Sequence, residues 1–172
     1  MNLVTFKKTG HVLAAVTRIS QPDKAPTVEE IAQGGFRMRK SNGDRSLLVI
    51  PETEISVKQV DYSTEVLHRP QLFAVEDDLP VQKTGSTGLT VVLNGSTIQV
   101  TLPANVSSST NVWCQISGGA LTEPIVRSVT IQGTVAAPTK TGTESLVLGS
   151  GAYLVALFAP GYGVAVIEQN VP

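Results

Sequence analysis

The sequence predicts a mainly β protein with two small β modules, the C-terminal one a β-sandwich or barrel, and one short helix near residues 27–33. Turn-forming residues separate short runs of β-branched and apolar residues about every 8 to 12 positions, which is the spacing of all-β folds. The Asn94-Gly95 pair lies between two such runs. At 172 residues and 41% hydrophobic composition, the chain is able to bury a core.

The clearest single element is the hairpin around Asn94-Gly95. Asn-Gly suits a two-residue type I′ turn, because both central residues of that turn need a positive φ. Strict alternation then assigns the flanking runs two faces. The predicted inward face consists of Leu89, Val91, Leu93, Ile98, Val100 and Leu102. The predicted outward face consists of Thr90, Val92, Thr97, Gln99 and Thr101.

Charge divides the chain into a module at 1–84 and a module at 85–172. Residues 1–84 hold 11 of the 13 basic and 11 of the 14 acidic residues. The small polar segment 81–88 between them has the composition of a flexible connection. Each module alone is of marginal size for a stable core, so we expect both to pack against something else.

The first module is predicted to contain short strands and one helix. Thr27 and Glu30 form a capping-box pattern, so a helix is expected from 27 to 33 that ends at Gly34-Gly35. Asn42-Gly43 predicts a second hairpin with a longer loop. The strands predicted in this module are 3–6, 12–19, 36–40, 45–50, 52–62, 65–68 and 72–75.

The second module continues with strands that become increasingly apolar. After the hairpin, strands are predicted at 111–117, 125–132, 146–148, 153–158 and 162–168, with Pro160-Gly161 suited to a type II turn. The last runs are apolar on both faces. An antiparallel strand usually has one wet face, so we expect these strands to lie inside a sandwich or at a protein interface.

Catalytic and metal-binding groups are scarce. His11 and His68 are the only side chains that titrate near neutral pH without a large shift, and each is interpreted as a surface or strand-end residue. Cys114 lies in an alternating apolar strand and is predicted to be a buried, inert thiol. No nucleotide-binding glycine motif is present. We therefore predict a protein that is not an enzyme and uses no cofactor and no metal.

Two charged clusters are the candidate contacts. Arg37, Arg39, Lys40 and Arg45 surround the tip of the second hairpin, and Glu76, Asp77 and Asp78 form an acidic run. The acidic run is interpreted as a solvated turn, because it lacks the ligand spacing of a calcium loop. For the basic cluster we rank solubility first, docking onto an anionic partner such as the acidic run of a neighbouring copy second, and nucleic acid third.

A different class of function would use aromatic side chains. A sugar-binding sandwich needs two or three exposed rings, and Trp113 with Tyr162 is the candidate platform. Aromatic residues make up only 5% of the chain, and core packing is their default role. A glycan-binding or surface-ligand module is therefore the alternative prediction.

The charge-poor second module, rich in Ser, Thr, Gly and Val, resembles bacteriophage or related particle proteins, such as capsid decoration or tail components. The resemblance is one of composition, mainly over the second module, and no specific motif carries it. It implies a structural subunit that forms a homo-oligomer and contacts other proteins of a virion or phage-tail-like particle.

Location and partners follow from composition. The residues after Met1 lack the apolar stretch of a signal peptide, and the longest apolar run, 152–160, is about half of what a membrane helix needs. We expect synthesis in the cytoplasm, incorporation into a particle and no membrane partner. A net charge of -1 makes nucleic acid an unlikely partner.

Overall fold

The computed structural model describes residues 1–17, 26–39 and 47–172. Within these ranges the protein is mainly β, as predicted, with fourteen strands and two short α-helices. The strands are β1 (Asn2–Phe6), β2 (Val12–Val16), β3 (Phe36–Arg39), β4 (Leu47–Ile50), β5 (Ile55–Gln59), β6 (Phe73–Glu76), β7 (Leu79–Gln82), β8 (Thr90–Leu93), β9 (Thr97–Val106), β10 (Ser109–Gly118), β11 (Ile125–Gln132), β12 (Thr139–Ser145), β13 (Gly151–Phe158) and β14 (Ala165–Val171). The helices are α1 (Val28–Ala32) and α2 (Thr64–His68). No helix of the described ranges is long and apolar enough to cross a membrane.

The chain forms two compact units. The first contains Met1–Phe36, Ile50–Gly85 and Gly161–Val164, and the second contains Arg37–Val49, Ser86–Pro160 and Ala165–Pro172. The segments 37–49 and 161–164 therefore belong to units that sequence order alone does not indicate. The division into modules at 1–84 and 85–172 stays a prediction about domains.

The first unit is built on the antiparallel sheet β2-β1-β5. Its core contains Leu3, Val12, Val66 and Phe73, of which Val66 comes from α2. Helix α1 begins as predicted, since Thr27 Oγ1 accepts from the Glu30 backbone amide and the Glu30 carboxylate accepts from the Thr27 amide. The predicted strand at 65–68 is wrong. Ser63 caps the Val66 amide there, which starts helix α2 instead of a strand.

The short segment Gly161–Val164 is held in the first unit by backbone hydrogen bonds. The Thr84 amide donates to the Gly161 carbonyl at 3.0 Å, and the Gly163 amide donates to the Thr84 carbonyl at 2.7 Å. A Cβ at Gly163 would lie 2.7 Å from the Gln71 carbonyl oxygen, so only glycine fits this approach. His11 completes the contact, since its Nε2 lies 2.8 Å from the Tyr162 carbonyl oxygen.

The second unit has the two-sheet arrangement of a β-sandwich. One sheet has the order β11-β10-β13-β14 and the other β12-β9-β8. Strand β11 lies beside β12, and β14 lies beside β8, so the edges of the two sheets approach each other as in a barrel. The six residues of the predicted inward face of β8 and β9 are all buried, which confirms the alternation that assigned them.

The apolar strand β13 is covered on both faces by the chain itself. Residues 153–158 are all buried. In the neighbouring strand β10, Val112, Cys114 and Ile116 are buried, and so are Gln115 and Ser117 on the opposite face. Gln115 Nε2 donates to the Val49 carbonyl at 3.0 Å, and the Val49 amide donates to Ser117 Oγ at 3.2 Å. Strand β4 therefore covers the second face of β10, and burial on both faces needs no external partner.

The turn at Asn94-Gly95 differs from its prediction. Leu93 pairs with Ile98, and residues 94–96 lie between β8 and β9, so the predicted two-residue type I′ turn is wrong. Asn94 Oδ1 accepts from the amides of Ser96 and Thr97 and from both of their hydroxyls. The side chain thus organises the loop as an Asx turn, which does not need a positive φ at Asn94. Gly95 alone in this loop has a positive φ, of 84°.

Candidate functional site

The acidic run Glu76-Asp77-Asp78 forms the turn of the β6-β7 hairpin. Glu76 pairs with Leu79, and Asp77 and Asp78 have φ values of 48° and 62°. Positive φ at both central residues is the requirement of a type I′ turn. The prediction of an acidic turn is confirmed, and its geometry is the one that was predicted for Asn94-Gly95.

Lysines of the same unit already pair with this turn. Lys58 Nζ lies 2.8 Å from Asp78 Oδ1, and Lys83 Nζ contacts the Glu76 carboxylate. The hydrogen bond from Lys58, followed by its positive charge, lowers the pKa of Asp78 from its usual 3.8. A neighbouring copy that docked on this run would have to compete with these intrachain cations.

The basic cluster is described only in part. Arg37 is exposed on β3, and Arg39 ends that strand. Lys40 and Arg45 lie outside the described residues. Arg37 belongs to the second unit and the acidic run to the first, so docking between these clusters stays a prediction.

The aromatic candidates belong to different units. Trp113 is half-buried on β10 in the second unit, and half-buried Tyr162 lies in the segment that joins the first unit. Each is held by its own surroundings: Trp113 pairs with Phe158 across the sheet, and the backbone of Tyr162 bridges to Thr84. A shared platform formed by the two rings stays a prediction.

The buried nucleophile and the buried base are both poor candidates for chemistry. Cys114 is fully buried, and desolvation raises its pKa to about 12. The prediction of a buried thiol is confirmed, and a thiol with this pKa does not ionise near neutral pH. His11 is also buried, so of its two interpretations the surface residue is wrong, whereas its place directly before β2 makes it a strand-end residue. Its Nδ1 lies 2.7 Å from Thr9 Oγ1 and its Nε2 2.8 Å from the Tyr162 carbonyl, so its ring is used for structure.

A groove of about 430 Å³ runs beside the β1-β2 turn in the first unit. Its cationic lining consists of Lys7, Lys8 and Lys58. Lys7 Nζ donates to the Thr53 carbonyl at 2.8 Å, Lys8 lies 3.6 Å from the Glu54 carboxylate, and Lys58 pairs with the acidic turn. These lysines are already engaged, so the groove is a weak candidate for binding an anion.

A second cleft, of about 360 Å³, lies beside α2 in the first unit. Leu72 and the almost fully buried Phe73 provide its apolar part. Its polar lining consists of Thr64, Glu65, His68, Arg69 and Gln82. Among the described residues, none of these five polar side chains makes a hydrogen bond or an ion pair. This cleft, which we call the Arg69 cleft, is the best candidate for a small-molecule site. Sequence reasoning missed it because a strand was predicted where α2 lies.

Two rows of side chains on the outer face of the β12-β9-β8 sheet contain no ionisable group. Register places Thr141, Thr101 and Thr90 in one row across the three strands, and Thr143, Gln99 and Val92 in the next. Neighbours within the rows are joined, with Thr101 Oγ1 3.2 Å from Thr141 Oγ1 and Gln99 Nε2 3.4 Å from Thr143 Oγ1. We call this surface the uncharged face.

In the described ranges, no group of three or more His, Cys, Asp or Glu side chains is arranged to hold a metal ion. No family model, curated protein or solved structure matches the chain.

Proposed function

We propose that the protein is a non-enzymatic structural subunit that assembles into a larger oligomeric particle, of the virion or phage-tail-like kind, through its uncharged face. The single observation that carries the proposal is the absence of ionisable groups from the two rows of side chains across three strands. The surfaces of soluble proteins usually carry interspersed charges of both signs, whereas the centres of protein–protein interfaces contain few charged residues.

The side chains of this face suit burial. Its hydroxyl and amide groups already bond to one another across the strands, so covering them leaves fewer unsatisfied donors and acceptors. Val92 is 50% exposed, so covering its side chain would contribute favourable hydrophobic free energy to the association.

The size of the face favours an assembly with many contacts over an isolated dimer. Three strands about 4.8 Å apart and two rows about 6.8 Å apart span roughly 200 Å². Stable pairs bury about 800 Å² per partner, so one such contact is weak. Many weak contacts in a closed or repeating particle produce strong binding together.

The experiment places a charge on the face. Size-exclusion chromatography with light scattering should show a trimer or larger for the wild type at high concentration. Gln99→Lys should shift it to monomer, because desolvating a lysine there is costly. Gln132→Lys, on an exposed position of β11, is the matched control and should assemble as the wild type does.

A wild type that stays monomeric at high concentration contradicts self-assembly. Equal assembly of Gln99→Lys and the wild type contradicts the choice of this face. Thermal unfolding of both variants verifies that loss of assembly is not loss of fold.

The alternative function, binding of a glycan or surface ligand through Trp113 and Tyr162, has its own test. Added sugars should change the fluorescence of Trp113, the only tryptophan of the chain. An emission that does not respond to sugars argues against that alternative.

A further inference from the structure

The charged groups of the first unit differ in whether they have partners. The amine of Met1 donates to the Val60 carbonyl at 2.7 Å. The four described lysines of this unit, Lys7, Lys8, Lys58 and Lys83, each contact an acceptor of the same unit. Among the described side chains of this unit, the cation left without an acceptor is the guanidinium of Arg69, which lines the Arg69 cleft.

The acid of the same cleft is also uncommitted. Glu65 lies four residues before Arg69, a spacing that places two side chains on one side of a helix and favours an ion pair. Here Arg69 caps the C-terminus of α2 with φ -138° and ψ 55°, outside helical geometry. Its amide still donates to the Glu65 carbonyl at 3.0 Å, but the two side chains form no ion pair. The cleft thus contains one free positive and one free negative group.

The remaining lining consists of His68 and of apolar or neutral groups. Leu72 and Phe73 offer a hydrophobic wall, and Thr64 and Gln82 add neutral hydrogen-bonding groups. The volume of about 360 Å³ lies at the small end of ligand sites. The occupant must therefore be a small molecule with an apolar part.

We propose that the Arg69 cleft binds a small zwitterion with an apolar side chain, that is, a free apolar amino acid. Its carboxylate pairs with Arg69, whose planar guanidinium suits a carboxylate. Its ammonium pairs with Glu65, and its side chain packs on Leu72 and Phe73. A plain anion would meet repulsion from Glu65, and a plain cation would meet repulsion from Arg69. Only a molecule with both charges satisfies both groups.

The first test uses the whole chain, labelled with nitrogen-15, and three probes with the same ring. L-Phenylalanine has both charges, 3-phenylpropionate has only the carboxylate, and phenethylamine has only the ammonium. Phenylalanine should shift the amide resonances of residues 64–73 in a saturable way. Each single-charge probe should bind about tenfold more weakly, because each lacks one charge-assisted contact.

The second test uses variants of the cleft. Arg69→Gln and Glu65→Gln should each weaken phenylalanine binding by about tenfold. Arg37→Gln removes an exposed arginine of the other unit and is the matched control, with unchanged binding expected. Amide resonances away from the cleft report whether each variant is folded.

Three results overturn the proposal. They are no saturable shift with phenylalanine, equal binding of 3-phenylpropionate and phenylalanine, and folded cleft variants that bind as the wild type does. The probe series needs no variant, so misfolding of a variant leaves the proposal testable. Loss of assembly in Gln99→Lys should leave phenylalanine binding intact, which separates this proposal from the proposed function.

Discussion

Two hairpin turns of the protein reach the same result, a tight reversal between strands, by different means. In the first unit, Asp77 and Asp78 both adopt positive φ and form a two-residue type I′ turn. In the second unit, Asn94 has no positive φ, and its side-chain oxygen accepts four hydrogen bonds from Ser96 and Thr97. The first turn is formed by two residues in the left-handed backbone conformation, and the second is held by a side-chain hydrogen-bond acceptor.

The difference shows that turn type follows strand register as much as turn residues. Asn-Gly is the preferred pair for type I′, yet here Leu93 pairs with Ile98, so Asn94 and Gly95 are not the two central residues of a two-residue turn. Ser96 and Thr97 supply the donors that make the Asx arrangement favourable. Asp-Asp tolerates the left-handed region, at some cost, because short polar side chains do so.

The largest effect is expected for Gly95→Val. Gly95 has a φ of 84°, and a β-branched residue is strained there by about 2 kcal/mol or more. The built Cβ would also lie 3.4 Å from Val171 Cγ1, which leaves little room for two further methyl groups. Denaturant unfolding followed by circular dichroism measures the loss. An unchanged midpoint would show that the loop easily adopts another conformation.

Asn94→Ala should have the next largest effect. It removes the acceptor of four hydrogen bonds, two of them from backbone amides, and should lower the free energy of unfolding by about 1 to 2 kcal/mol. Asn94→Asp keeps an oxygen in the same place and is the control. Equal destabilisation by both variants would show that the oxygen is not the important atom.

Asp77→Gly should stabilise the protein slightly. Glycine at φ 48° removes the strain of the left-handed conformation. This gain outweighs the cost of glycine's larger conformational entropy in the unfolded chain, so the free energy of unfolding should rise by about 0.5 kcal/mol. The same substitution at Asp61, an exposed residue without positive φ, should not stabilise. A loss of stability at position 77 would mean that Asp77 makes a contact that glycine cannot replace.

The smallest effect concerns Asp78 and pH. Its pKa is lowered in the folded state by the hydrogen bond and charge of Lys58, so the folded state favours the carboxylate. This contribution is present above pH 3.8, the usual pKa, and is lost as pH falls through the lower folded pKa. Asp78→Asn should therefore reduce the loss of unfolding free energy as the pH falls. The effect should be small, because the Lys58–Asp78 pair is exposed. Asp61→Asn is the control, and unfolding at several acidic pH values measures the difference.

Local patterns predicted much of the fold. Alternation assigned the buried face of β8 and β9, because one side of that sheet faces a core. The capping box predicted the start of α1, because Thr27 and Glu30 satisfy each other's backbone donors without help from elsewhere. The alternating apolar pattern of its strand predicted the burial of Cys114.

Features that depend on distant parts of the chain were missed. Strand β12 was not predicted, since its threonines at 139, 141 and 143 lack an apolar face and pair with β9 far back in sequence. The Arg69 cleft requires α2, and here the missed signal is local, since the Ser63 cap starts a helix where a strand was predicted at 65–68. The cover over β10 comes from Val49, more than sixty residues away, so no local window contains it.

The segment Gly161–Val164 determines when the first unit can complete its folding. His11 meets Tyr162 across 151 positions of sequence, and Gly163 meets Thr84 in the same place. During synthesis the first 85 residues leave the ribosome long before these partners exist. An N-terminal domain usually folds first and alone. The hydrogen bonds that join this unit to Gly161, Tyr162 and Gly163 form only after residues 161–164 have emerged.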